Sequence, residues 1–185
     1  MDDIRPCFDD HMRHWNVLAP TDPKHTKPFQ RPGGFRGTAI KPIWNIMRLT
    51  EHFGPMGVGW GTKEPKFNII DTGNGGEIMV YCVLECWYKD KNGNEETIGT
   101  LWGIGGDKVA SKRAGAMFAD DEAYKKAYTD ALANAFVRIG TSADIHIGLF
   151  EDIKYLSSVR EHYDNTRAIQ NQIETNIGGS KDAAN

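Results

Sequence analysis

Two apolar series interleave between Glu77 and Tyr88: Ile78, Val80, Cys82, Leu84 and Cys86 on one parity, Met79, Tyr81, Val83 and Trp87 on the other. Successive strand side chains point to opposite faces, so a segment apolar on both parities predicts a central strand needing cover on both sides. Its neighbours read as strands too. Trp60 to Ile70 precedes it, with Pro65 marking an edge or a bulge, and the glycine-rich turn Thr72 to Gly76 joins the two. Lys89 to Asn94 forms a turn with Asn92-Gly93 at its tip, and Thr97 to Ile104 follows as a third strand with Gly99 and Gly103 on one face. Strand, turn, strand, turn, strand is an antiparallel meander.

Helical periodicity flanks this sheet. From Lys41 to Phe53, Ile43, Ile46, Met47 and Thr50 share a face, Pro42 suits the first turn, and Gly54-Pro55 stops the run. A longer helix is expected from Asp121 to Ile139, capped by Asp120 or Asp121. Tyr124, Tyr128, Leu132, Ala135 and Ile139 form its apolar stripe and Gly140 its stop. The fold class is therefore α+β: a helix, a three-stranded antiparallel β-meander, and a long helix packed on the sheet. A short helix is expected around Phe8 to Trp15, and Ala143 to Leu156 is amphipathic without a clear period. The chain of 185 residues is read as an N-terminal extension over 1–23, one core domain over 24–160, and a mobile polar tail over 161–185.

The acidic start Met1-Asp2-Asp3-Ile4-Arg5 lacks the apolar run of a leader, and no stretch approaches the roughly 20 apolar residues of a membrane span. A cytoplasmic protein is expected. Cys82 and Cys86 lie along one strand about 13 Å apart, too far for a disulfide, so free thiols are expected. Cys7, His11 and His14 have a spacing compatible with zinc, but no partner pair follows to complete four ligands.

Charge is distributed unevenly. From Lys24 to Thr50 there are six cations, Lys24, Lys27, Arg31, Arg36, Lys41 and Arg48, and no acid, in a chain of net charge −3. Phe29, Phe35 and Trp44 and the glycines Gly33, Gly34 and Gly37 interleave with them. Cations neutralise phosphates, flat rings stack on bases, and glycine lets backbone approach a polyanion, which is the chemistry of a single-strand nucleic-acid site. Pro28, Pro32 and the glycines make Lys24 to Gly37 a loop by expectation. A second basic patch, Lys108, Lys112 and Arg113, follows Gly105-Gly106.

Catalytic signatures are missing. No G-x-x-x-x-G-K-[ST] loop is present, which argues against ATP hydrolysis by that device, and no cofactor is expected. Asp120-Asp121-Glu122 and Glu151-Asp152 are the acidic clusters, and both read as helix-cap or surface groups.

Several motifs, in order, resemble those of the single-strand DNA annealing proteins, the phage recombinases related to the eukaryotic Rad-fifty-two protein. Thr129-Asp130-Ala131-Leu132, Ala135 and Gly140 resemble the T-D-x-L-x-x-A-x-x-x-x-G helix of that family. Arg31-Pro32-Gly33-Gly34 resembles its Arg-then-glycine approach to the first helix, and Phe53-Gly54 with Gly59-Trp60 its helix-to-strand junction. Lys89-Asp90, Gly93, Glu95-Glu96 and Ile98-Gly99 resemble its second hairpin, and Gly106 to Lys112 its basic stretch. The similarity runs from about Arg31 to Gly140. One departure stands out: Ala133-Asn134 occupies the place of a Lys-Arg pair in eukaryotic members, leaving Arg138 as the nearby cation.

The resemblance implies an ATP-independent, non-enzymatic protein of recombination and repair, assembled as a homo-oligomeric ring or filament, that binds single-stranded DNA and anneals complementary strands into duplex. It also implies a phage exonuclease or a host single-strand-binding protein as partner, in the cytoplasm of a phage-infected or prophage-carrying bacterium. Lys27, Arg31, Arg36, Lys41, Arg48, Lys108, Lys112, Arg113 and Arg138 are the candidate phosphate contacts, with Phe29 and Phe35 as stacking rings. Two rival readings are a single-strand coat module without annealing activity and a small metal-dependent nuclease using Asp120, Asp121 and Glu122.

Overall fold

The computed structural model describes residues 11–31, 33–73, 76–113 and 115–182. In chain order these form α1 (Arg13–Leu18), β1 (Thr26–Gln30), β2 (Arg36–Ile40), α2 (Pro42–Phe53), β3 (Trp60–Thr62), β4 (Lys66–Asp71) and β5 (Ile78–Asn92). Then come β6 (Glu95–Arg113), β7 (Ala116–Ala119), α3 (Ala123–Phe136), α4 (Ala143–His146) and α5 (Ile153–Asp182). The architecture is α+β with antiparallel strand pairing. Among the described residues no helix is long and apolar enough to cross a membrane. The chain packs as two compact units. One joins the segment ending at Ala19 to Lys41–Ala143; the other joins Pro20–Ile40 to the segment starting at Asp144.

The first unit holds the meander, with five strands rather than three. The expected strand from Trp60 to Ile70 is broken around Pro65 into β3 and β4, and both pair with β5, at Trp60↔Tyr88 and Lys66↔Val83. Proline has no N–H to give a ladder, so the strand divides there. β5 is central, as its two apolar parities require. The Asn92-Gly93 tip closes the β5–β6 hairpin, with Asn92↔Glu95 as the last pair and Gly93 at φ 61°. β6 continues far beyond the expected Ile104, through Gly105 and Gly106, because β5 supplies partners down to Ile78 and β7 takes over at Ala110↔Ala119.

Small residues set the distance between helix and sheet. Val80, Cys82, Leu84 and Cys86 are fully buried on one face of β5, and α3 lies across that face. The buried row of α3 is Ala123, Ala127, Ala131 and Ala135, one helical turn apart, with Leu132 and Phe136 beside it. Opposite them on β6 are Gly103 and Gly105. A methyl group at Gly103 would come 1.9 Å from the Ala131 carbonyl oxygen, and one at Gly105 2.2 Å from the Ala131 nitrogen. Helix backbone therefore rests directly on strand backbone, and only alanine and glycine fit between them. Of the expected stripe, Leu132 and Ala135 are buried, Tyr128 and Ile139 pack half-buried on the core with the Tyr128 hydroxyl 3.3 Å from Thr62 Oγ1, and Tyr124 is exposed and meets Phe67 edge-on. The expected cap by Asp120 or Asp121 is not made: Glu122 stands at the N-cap with no side-chain cap bond, and the Asp120 carboxylate accepts the Glu122 N–H at 2.9 Å in the turn before the helix. The other face of the sheet shows Trp102, Ile98 and Ile104 to solvent, with Trp102 half exposed.

The second unit turns an expected loop into strands and shows helix where the sequence is only polar. The segment from Lys24 to Gly37 is a β-hairpin, not a loop, with β1 and β2 in register from Thr26↔Ile40 to Gln30↔Arg36. A two-stranded ribbon has an open edge on each strand, so Pro28 is tolerated within β1. The polar run expected as a mobile tail is helical within α5 as far as Asp182. Asp152 starts that helix by accepting the Lys154 N–H at 2.7 Å, and Tyr155, Val159, Tyr163 and Arg167 then recur at helical spacing. Tyr155 donates to buried Asp144 at 2.8 Å, Tyr163 to the Pro20 carbonyl at 2.8 Å, and Arg167 to Asp22. Asp144 also accepts the Thr21 N–H at 2.8 Å and the Thr21 hydroxyl at 2.7 Å. A compositional reading of the tail misses this four-residue anchor spacing.

Candidate nucleic-acid interface

The β1–β2 hairpin concentrates the predicted chemistry. Its connection is tight: the Arg31 N–H donates to the Phe35 carbonyl at 2.9 Å, and the Gly34 N–H to the Arg31 carbonyl at 3.1 Å. Gly33 and Gly34 sit at φ 94° and 87°, which residues with a Cβ rarely adopt. Opposite Phe29 in register is Gly37, and the Phe29 ring covers it, 3.0 Å from where a Cβ would stand. The ring therefore lies flat along the ribbon. Phe35 lies 6.0 Å from Phe29, centroid to centroid, and the Arg31 guanidinium carbon is 5.5 Å from the Phe29 centroid. Phe35 is 59% exposed. An exposed cation–π contact stabilises by only about 0.5–1 kcal/mol, so it can yield to a nucleobase, whose stacking is worth about 1–3 kcal/mol.

Alternation assigns the hairpin cations to faces. Lys27 and Phe29 share one face, which Arg31 joins through its contact with Phe29. Arg36, paired with Gln30, belongs to the opposite parity, beside Pro28. Lys27, Arg31 and Arg36 are all exposed.

Lys41, Arg48, Lys108, Lys112, Arg113 and Arg138 belong to the first unit. Lys41 precedes α2 and is exposed, its carbonyl accepting the Trp44 N–H at 2.9 Å. Arg48 is a brace: its side chain is 16% exposed and donates to Glu51 at 2.6 Å and to the Val17 carbonyl at 2.6 Å, with its guanidinium over Trp44. Lys108 pairs with Glu77, Lys112 is exposed on β6 opposite Met117, and Arg113 closes β6 opposite Ala116. Arg138 is exposed in the 3-10 turn that follows α3. Lys24, also in the basic window, pairs with Asp164 at 3.6 Å. On α3, Asn134 donates to the Ile104 carbonyl at 2.9 Å and Asp130 accepts the Gly106 N–H at 3.2 Å. Those side chains serve the edge of β6.

The rival chemistries find other occupations here. Asp120 pairs with Lys126 at 2.5 Å and Glu122 with Lys125 at 2.6 Å, a hydrogen bond that holds the Glu122 carboxyl below the usual range. Cys82 and Cys86 are buried free thiols, and burial, then Cys82 and Glu85, push the Cys86 thiol up to about 12. Such thiols are unreactive at neutral pH. Cys7 lies outside the described residues, and among the described residues no group of three metal-ligating side chains converges. His14 is instead occupied by Asp90 and His52, a cluster that sequence spacing could not reveal because its members are 38 and 76 positions apart.

No protein-family model matches the chain, and no curated protein matches it.

Proposed function

We propose that this protein binds single-stranded DNA without sequence preference and anneals complementary strands without ATP, as a homo-oligomer. The observation that carries the reading is the hairpin. Lys27 and Arg31 are exposed beside a tilted pair of phenylalanine rings, and Arg36 is exposed on the opposite face, on a ribbon whose glycines permit close approach. Cations and ring faces read phosphate and stacking, not base edges, so any sequence is held equally. The ordered motif resemblance from Arg31 to Gly140 supports annealing in particular, and the order hairpin, helix, antiparallel sheet, helix is compatible with it.

The test uses dye-labelled complementary oligonucleotides with the full chain. The proposal expects faster pairing with protein than without, unchanged by ATP. Binding without acceleration would reassign the protein as a coat module. A strict ATP requirement, or affinities for different homopolymers that differ by orders of magnitude at one salt concentration, would overturn it.

A further inference from the structure

Within the first unit, three elements meet at one hydrogen-bonded chain of titratable groups. His14 on α1 places Nε2 2.9 Å from Asp90 Oδ1 on β5, and Nδ1 2.8 Å from His52 Nε2 on α2. Arg13 donates to the second Asp90 oxygen at 2.6 Å. Phe53 and Tyr88 enclose the rings, with centroids 5.3 Å and 5.6 Å from that of His14. The other charged groups around the chain are Arg48 with Glu51 on α2, and Lys89 and Lys91 on β5, both paired with Glu96 on β6.

Proton counting limits what this chain can hold. A carboxylate accepts, so His14 Nε2 carries hydrogen toward Asp90. With both rings neutral, bare His14 Nδ1 accepts from His52 Nε2–H. One added proton is accommodated: His14 becomes imidazolium, its Nδ1–H donates, and His52 shifts its hydrogen to Nδ1. A second added proton puts N–H groups on both sides of a 2.8 Å contact, and the contact must open.

We infer that the His14–His52–Asp90 chain is a proton-operated latch that holds α1 against α2 and β5 and lets it go when both histidines are charged. The environment favours release in mild acid. Burial, then His14 and Arg48, lower His52 from its ordinary value, against an opposing pull from Asp90. For a histidine so lowered, the unfolded chain binds more protons as pH falls through 6.5, so its contribution is intact above that value and is lost below it. Asp90 is tuned differently. Burial raises its carboxyl, but hydrogen bonds from Arg13 and His14 outweigh that and hold it low, so its own loss belongs to the range below 3.8. The two windows are separate.

Hydrogen exchange of the full chain tests the latch, with amide protection compared between pH 7.5 and 5.5 after correction for the intrinsic rate. Protection of residues 13–19 should fall about tenfold or more while that of β5 residues 80–86 holds. His52→Gln, which keeps a donor for His14 Nδ1 but does not titrate, should remove most of that pH dependence, and His14→Gln should remove it from the other side. Melting at pH 7.5 establishes that each variant is folded. Unchanged protection in the wild type, the same pH response in a folded His52→Gln protein, or a response abolished by a chelator would overturn the inference, the last by assigning it to a bound metal.

Discussion

Replacing Gly105 with alanine should cost more stability than replacing its neighbour Gly106, though both sit within the same strand. At Gly105 the new methyl would stand 2.2 Å from the Ala131 nitrogen and 2.4 Å from the Ala127 carbonyl oxygen. These are backbone atoms of α3, and no rotamer change relieves them. Against ordinary contacts of about 3.5 Å or more, the helix must retreat by about 1 Å, loosening the alanine row from Val80, Cys82 and Leu84. Overpacking of this kind costs about 1–3 kcal/mol or more, offset by about 0.4–1 kcal/mol from stiffening the unfolded chain. We expect a net loss of about 1–2.5 kcal/mol, toward the upper end because both clashes are with backbone, which for a chain of this size lowers Tm by about 2–10 °C. At Gly106 the closest atoms belong to the Tyr81 ring at 2.9 Å, with the Val80 carbonyl at 3.3 Å. A half-buried ring can swing aside, so Gly106→Ala should stay within about 1 kcal/mol of the parent. Circular-dichroism melting of both variants decides the matter. Equal Tm values for Gly105→Ala and wild type would refute the direct helix-on-strand contact.

Changing Arg31 and Arg36 together to alanine should leave Tm nearly unchanged, because both are exposed loop or strand-end groups. Affinity for single-stranded DNA should fall, and the slope of log affinity against log salt should flatten by roughly one unit, at about 0.7 per contact. Unaltered binding across a salt titration would move the DNA path to Lys108, Lys112 and Arg113. Leu132→Asp should unfold the first unit, since Leu132 belongs to its buried cluster; far-ultraviolet circular dichroism at 25 °C checks it. Asp144→Ala removes the acceptor of the Thr21 N–H, the Thr21 hydroxyl and the Tyr155 hydroxyl. A loss of about 3 kcal/mol in urea unfolding is expected, from leaving buried donors unpaired. Between Glu95 and Gly103, β6 has no strand partner on the edge away from β5 among the described residues. An open edge beside exposed Trp102, Ile98 and Ile104 favours self-association, so light scattering at micromolar concentration should report more than the 20.7 kDa monomer. A monomer with and without DNA would count against it.

What the sequence disclosed and what it withheld divide along physical lines. The centrality of β5 was legible because two interleaved apolar parities admit no other position, and the span of α2 because Pro42 and Gly54 punctuate it locally; its face was not, since Trp44, Asn45 and Leu49 are buried while Ile43, Met47 and Thr50 of the expected face are exposed. The stripe of α3 was legible in Tyr128, Leu132, Ala135 and Ile139, but the alanines beside it, Ala123, Ala127 and Ala131, were not. Helical periodicity reports which side is apolar, and it ranks tyrosine and leucine above alanine. The row that meets the sheet was chosen by the glycines of β6, which lie 22 to 32 residues earlier and admit only a small-residue face. The long-range partner decided. The hairpin hides in the sequence for a related cause: its prolines and glycines are loop residues by composition, yet Pro28 needs only an open edge and Gly33-Gly34 only the turn. For the candidate site, charge and ring content were legible and commitment was not. Arg48 and Lys24 count as cations in the sequence, but Glu51, the Val17 carbonyl and Asp164 engage them in the fold. What remains around Phe29 and Phe35 is a smaller and better defined set than the basic window suggested. Net charge over a segment is therefore an upper bound on its phosphate contacts, and the salt slope of binding measures how far below that bound the protein works.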